Sequence, residues 1–156
     1  MNKKETEIVV SRIEQWYSRM LGYFVEDRTP LSAKYGWSKE AVPFTNRNKL
    51  KYKNIKKGKS WGKEWESAWF HLSGDIKKEW RGKQIIVDLD FSGEGLVYTP
   101  KGKEIQGITN ASIWDQNFAR TRVLVPKSCI KNSKVELWVE TAANSLFGIF
   151  VCLLYT

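Results

Sequence analysis

One histidine, two cysteines and no long apolar run set the first limits on this 156-residue chain. With His71 as the sole imidazole, a catalytic zinc centre built from histidines is excluded, and a Ser-His-Asp or Cys-His nucleophile system is not credible. No glycine-rich loop has the spacing that cradles phosphate. No segment approaches the ~20 apolar residues needed to span a bilayer, so no membrane partner is expected. The opening MNKKETEIVV lacks the apolar stretch of a secretory signal, which makes a cytoplasmic setting the expectation. Cys129 and Cys152 are then expected as reduced, buried thiols, and the sequon Asn110-Ala111-Ser112 has no consequence. No cofactor or metal is expected in this chain.

Acidic residues are also in short supply, but only in part of the chain. The net charge is +9. Residues 1–60 carry 14 Lys and Arg against 6 Asp and Glu, whereas residues 61–156 carry 12 against 11. The excess centres on Lys49, Lys51, Lys53, Lys56, Lys57 and Lys59. A nucleic-acid surface would interleave such charges with aromatics, and only Tyr52 lies among them. A solvated basic loop accounts for them better, and nucleic acid is not an expected partner.

What the chain has in abundance is aromatic residues, including eight tryptophans. Four of them fall in WGKEWESAWFHLSGDIKKEW, from Trp61 to Trp80. Read as a strand, this run turns Ala68, Phe70 and Leu72 to one face and Trp65, Ser67, Trp69 and His71 to the other. The first face is an ordinary core. The second is aromatic and polar, and must be covered by chain, by a partner or by a flat ligand such as a sugar ring.

The surrounding pattern divides the chain in three. Val9, Ile13, Trp16 and Met20, with Tyr17 and Leu21 beside them, predict an amphipathic helix over residues 1–22, stopped by Gly22. No period holds over residues 23–60, which predict an irregular basic strap pinned to the rest by Phe24, Tyr35, Trp37 and Phe44. Residues 61–156 read as strands. Ile85, Val87, Leu89 and Phe91 alternate with Ile86, Asp88 and Asp90. Leu96–Tyr98 and Glu104–Ile108 flank a Thr99–Gly102 turn, residues 120–125 form another strand, and Val135, Leu137, Val139 and Thr141 alternate with Glu136, Trp138 and Glu140. Strands with no intervening helices predict a mainly β fold, an antiparallel sandwich or jelly roll.

Several motifs occur in a distinctive order. Arg12-Ile13-x-x-Trp16-Tyr17 is followed by Ser60-Trp61-Gly62-x-x-Trp65-x-x-x-Trp69-Phe70. Then come Gly93-Glu94-Gly95-Leu96-Val97-Tyr98, Gly102-Lys103-x-x-Gln106-Gly107-Ile108-Thr109, and Glu140-Thr141-Ala142-Ala143-Asn144-Ser145-Leu146-Phe147-Gly148. Together these resemble the N-terminal domain of cytosolic and vacuolar α-mannosidases of glycoside hydrolase family 38, over about residues 8–149. More distantly they are similar to galactose-binding-like jelly rolls of other glycosidases. The resemblance implies a β-sandwich ahead of a catalytic barrel that holds zinc or another divalent metal. The His-x-Asp metal motif of that barrel has no counterpart here, so the chain is expected to be a truncated, non-catalytic accessory domain. Its implied partners are an α-mannosidase catalytic domain, another copy of itself, or mannosides.

Two kinds of surface residue are candidates. For carbohydrate, aromatics that stack on sugar C–H faces and an amide for the hydroxyls are Trp65, Trp69, Trp114, Trp138 and Asn144. For a domain interface they are Glu94, Gly95, Gln106, Gly107, Asn144 and Phe147, at loop tips where small residues allow close backbone approach. The paired acids Asp88 and Asp90 lie within the separation that glycoside hydrolysis uses, but a solvated strand face explains them more simply. The apolar ending from Ile149 to Thr156 is expected as a last buried strand or the mark of a truncation.

Overall fold

The computed structural model describes residues 2–23, 25–109 and 119–144. It opens with helix α1, Lys3–Tyr23. Asn2 and Glu5 start it by a reciprocal exchange: the Glu5 N–H donates to Asn2 Oδ1 (3.0 Å) and the Asn2 N–H donates to Glu5 Oε2 (2.8 Å). Two helix-end donors are thereby satisfied.

Among the described residues nine strands follow: β1 (Ser32–Ser38), β2 (Tyr52–Ile55), β3 (Ser67–Asp75), β4 (Ile86–Asp88), β5 (Glu94–Tyr98), β6 (Glu104–Thr109), β7 (Arg122–Leu124), β8 (Ile130–Lys131) and β9 (Lys134–Ala142). The main sheet runs β2-β1-β3-β9-β5-β6, with β8 added beside β9, and β4 pairs with β7 in a second small sheet. Every pairing is antiparallel. The architecture is a mainly antiparallel β jelly roll with one helix and no closed barrel among the described residues.

Alternation along the strands builds the space between the sheets. Ala68, Phe70 and Leu72 of β3, Val135, Leu137 and Val139 of β9, and Val97 of β5 meet Val87, Leu89, Phe91, Val123 and Val125 from the opposing layer. Phe70 is fully buried and is the hub. Its ring lies 4.6 Å from Phe91, 5.4 Å from Trp61 and 5.8 Å from Tyr35. Each such side chain contributes roughly 1.5–3 kcal/mol by leaving water. The one hydroxyl on this face of β9, Thr141, is buried and donates to Ala68 O (3.1 Å).

Residues 23–60 differ from the irregular strap expected of them. They supply β1 and β2, joined by a short 3-10 helix at Phe44–Lys49. Glycine and lysine are poor strand formers, so SAKYGWS gives little signal of its own; pairing with β3 and β2 imposes the extended form. Gly36 is needed there because a Cβ would sit 2.8 Å from Leu50 Cβ. Among the described residues β2 is an edge strand, with exposed Lys53 on it and exposed Lys51 just before it. Charge on an edge discourages pairing with other chains, a role the expected solvated loop did not have.

Residues 42–52 cover part of the second face of the main sheet. Trp69, Tyr98 and Trp138 form a second cluster under Val42, Phe44, Leu50 and Tyr52. The Trp69 indole N–H donates to Val42 O (2.7 Å), and Phe44 stands 5.6 Å from Trp69 and 5.4 Å from Tyr98. The Arg47 guanidinium lies 3.6 Å from the Phe44 ring centre and 4.4 Å from that of Trp138. Burial under this cover pushes the Tyr52 phenol up to about 12.

Helix α1 takes no part in the cover. Residues 2–19 are exposed throughout.

Candidate functional site

Register brings one end of every main strand but β2 and β8 into a single row. Ser38, Ser67, Ala142, Glu94 and Thr109 are successive cross-strand partners, and Thr109 bridges on to Arg120. Side chains that project with this row onto the second face are small: Ser67 and Ala142, with Gly107 nearby on β6. Beyond the cover formed by residues 42–52, they leave a cleft of about 770 Å³, lined also by Leu96, Glu140, Glu94 and Arg120.

Glu140 is the half-buried acid of that cleft. Burial raises its carboxyl above the usual range, against the hydrogen bond it accepts from the Tyr98 hydroxyl (3.3 Å). The Tyr98 phenol is itself pushed up to about 12, first by burial and then by the Glu140 charge. At the rim, Asn144 Nδ2 donates to Glu94 Oε2 (2.8 Å) while the Glu94 N–H donates to Asn144 Oδ1 (3.2 Å). That exchange fixes the chain as it leaves β9.

The same end of the sheet carries a turn at Lys63–Glu66. Trp65 does not belong to the strand in which it was expected; β3 starts at Ser67. It has φ 65°, which is unusual for a bulky side chain and costs roughly 1–3 kcal/mol. Five hydrogen bonds hold the turn, the first being its own closure from the Glu66 N–H to Lys63 O (3.1 Å). The Trp65 N–H donates to Ala143 O (2.9 Å), and the Ala143 N–H donates back to Glu66 O (2.8 Å). Glu66 Oε2 accepts from the Lys63 N–H (2.8 Å) and from the Trp37 indole N–H (2.6 Å). These bonds, the Lys63 one foremost, hold the Glu66 carboxyl below the usual range. The indoles beside it are open to water, Trp65 at 74% and Trp37 at 48% exposure.

The sequence candidates separate accordingly. Trp69 and Trp138 are buried beneath residues 42–52, so neither ring offers a face to a ligand. Asn144 bonds Glu94 across the rim, and Trp65 is exposed. Trp114 and Phe147 lie outside the described residues. Of the interface candidates, Glu94, Gly95 and Gly107 line the cleft. Gly95 serves the sheet itself, since a Cβ there would come 3.0 Å from Glu140 O; at Gly107 a Cβ would meet nothing within 4 Å. Gln106 points the other way, its Nε2 donating to Arg122 O (3.1 Å). Trp37, Glu66, Arg120 and Glu140 were not among the candidates. Only cross-strand register reveals them, apart from the aromatic character of Trp37.

His71 is a strand residue with satisfied contacts. Its Nε2 lies 2.9 Å from Glu136 Oε1 and its ring stacks 4.4 Å from that of Trp138. Asp90 accepts the Ser92 N–H (2.7 Å), and Asp88 sits 3.9 Å from the Arg122 guanidinium. Among the described residues no three His, Cys, Asp or Glu side chains are grouped to hold a metal, so these residues do not fit the metal that the resemblance implies for a catalytic barrel. Cys129 is a buried free thiol, raised by that burial, and Cys152 lies outside the described residues.

Comparison with known proteins meets this geometry. Residues 29–153 match the family model described as "Alpha-mannosidase, jelly roll domain". Alpha-mannosidase G of Dictyostelium discoideum is 26% identical over 161 residues, covering 94% of this chain and 14% of that protein. Alpha-mannosidase 2C1 of Homo sapiens is 26% identical over 110 residues, 70% of this chain and 10% of that protein. The alpha-mannosidase of Saccharomyces cerevisiae is 22% identical over 151 residues, covering 94% and 13% respectively. The chain therefore spans about a seventh or less of the length of these relatives. With its antiparallel sheets, inward alternation and matched length, the chain belongs to the α-mannosidase jelly roll domain family.

Proposed function

We propose that this chain is a non-catalytic accessory domain of a longer α-mannosidase, braced against the rest of that enzyme through α1. The observation that carries this reading is the uncovered apolar face of the helix. Ile8, Val9, Val10, Ile13, Trp16 and Tyr17 are 42–62% exposed. An amphipathic helix draws most of its stability from burying such a stripe, and a monomer seldom leaves one open. The alignment with alpha-mannosidase G covers 94% of this chain and so reaches into the helix, while most of that relative lies outside the match. A polypeptide large enough to cover the face therefore exists in a relative.

The remaining parts of the reading rest on chemistry. Mannoside hydrolysis belongs to the remainder of the enzyme, as does any zinc or other divalent metal, because the donor set is absent from the described residues. The chain itself takes no cofactor and works in the cytoplasm. The lysines of the β2 edge need no nucleic acid to explain them. No helix among the described residues is long and apolar enough to cross a membrane.

The test is reconstitution. The remainder of alpha-mannosidase G, produced separately, is mixed with this chain and followed by sedimentation velocity. A one-to-one complex lost in the Ile13→Glu, Trp16→Glu double variant is the expected outcome, with no hydrolysis of p-nitrophenyl α-mannoside by the chain alone. A chain that ignores the remainder but pairs with itself through α1 would replace this reading with self-association.

A further inference from the structure

The Lys63–Glu66 turn presents an open indole at the expense of its backbone. Glycine would adopt φ 65° without strain, yet Trp65 stands there, 74% exposed, and its ring enters neither of the two cores. Nothing among the described residues accounts for a bulky side chain in that conformation. The hydrogen bonds to Ala143, Lys63 and Trp37 hold the backbone of the turn, so the point from which the ring projects is set before any ligand arrives.

We propose that this turn is a carbohydrate-binding site, in which the indole face of Trp65 stacks on the C–H face of a pyranose ring and the Glu66 carboxylate accepts its hydroxyls. The surroundings favour a sugar over a protein anchor. A protein hot spot sits at the centre of a well-packed patch that excludes water, whereas Trp65 stands among exposed Lys63 and Glu64 and charged Glu66, with no apolar neighbour on the turn itself. A neutral sugar needs what is here: one apolar ring face beside charged groups that accept and donate hydrogen bonds. Among the described residues, the bonds to the Glu66 carboxylate, from the Lys63 N–H and the Trp37 indole, both go to Oε2. Trp37, 48% exposed and bonded to the same carboxylate, supplies a second aromatic beside the acid. The site is separate from α1 and does not depend on how α1 docks.

The probe is methyl α-mannoside, titrated into the full chain at millimolar concentration while the tryptophan indole N–H signals are followed by NMR. The Trp65 and Trp37 signals are expected to shift, and those of buried Trp61, Trp69 and Trp138 to stay. Trp65→Gly relieves the backbone strain, so it should unfold at higher denaturant than the parent while losing sugar binding by roughly tenfold or more. Glu66→Asp keeps the charge and should retain weakened binding. Absence of any indole shift, or shifts that persist in Trp65→Gly, would overturn the site. So would a Trp65 shift caused only by the separately produced remainder of an α-mannosidase.

Discussion

The jelly roll and helix α1 treat the same kind of side chain in opposite ways. In the sheets, Phe70, Leu72 and Leu137 are fully buried and Trp69 is 1% exposed; on α1, Trp16 is 62% and Ile13 59% exposed. Both regions carry a regular apolar stripe. The difference is that strands from distant parts of the chain supply each other's cover, whereas α1 has no second layer among the described residues. A stripe with its cover beside it reports on stability, and one without reports on a partner.

Four variants sharpen that contrast, from the largest effect to the smallest. Phe70→Ala empties the hub between Phe91, Trp61 and Tyr35, and is expected to lower unfolding stability by about 3–5 kcal/mol in urea titration. Gly102→Ala tests the cover on the second face. Gly102 has φ 87° and its added Cβ would come within 2.6 Å of the Phe44 ring, so about 2 kcal/mol should be lost, with faster proteolysis after Lys49 and Lys51.

Glu140→Gln probes the buried acid by pH. Because the folded carboxyl is raised, the folded state binds its proton more tightly than the unfolded chain. The stability this contributes is present in acid, below the unfolded carboxyl range, and is lost as pH rises through the folded value. The variant should therefore be more stable than the parent at neutral pH, and its advantage should vanish as pH falls through the carboxyl range. A constant difference across pH would detach Glu140 from the burial assigned to it. Trp16→Glu closes the series: thermal unfolding of the chain alone should change by no more than about 0.5 kcal/mol, while association through α1 disappears. A large loss of stability would mean that α1 is covered within the domain after all.

Much of the fold was legible because strand alternation is a local signal. Val87, Leu89 and Phe91 turn inward as expected, as do Val135, Leu137, Val139 and Thr141, and the Thr99–Gly102 turn joins β5 to β6. The β1 strand was not legible, since SAKYGWS has no apolar period and is held extended by its neighbours. The candidate site was read less well. Trp65 and Trp69 share a parity, and sequence could not distinguish a ring in a strand from one in a turn just before it. Burial then placed Trp69 and Trp138 under Phe44 and Tyr52, while Trp37 came next to Glu66 although 29 positions separate them.

By itself, the sequence determined the strand faces, the hairpin, the amphipathic helix and the supply of a single imidazole, because each depends on neighbours a few positions apart or on composition alone. Tertiary structure decided which aromatic residues are roofed and which stay open. Burial depends on what crosses over a side chain, and here the roof of β3 comes from residues 42–52 while α1 receives none from the described residues.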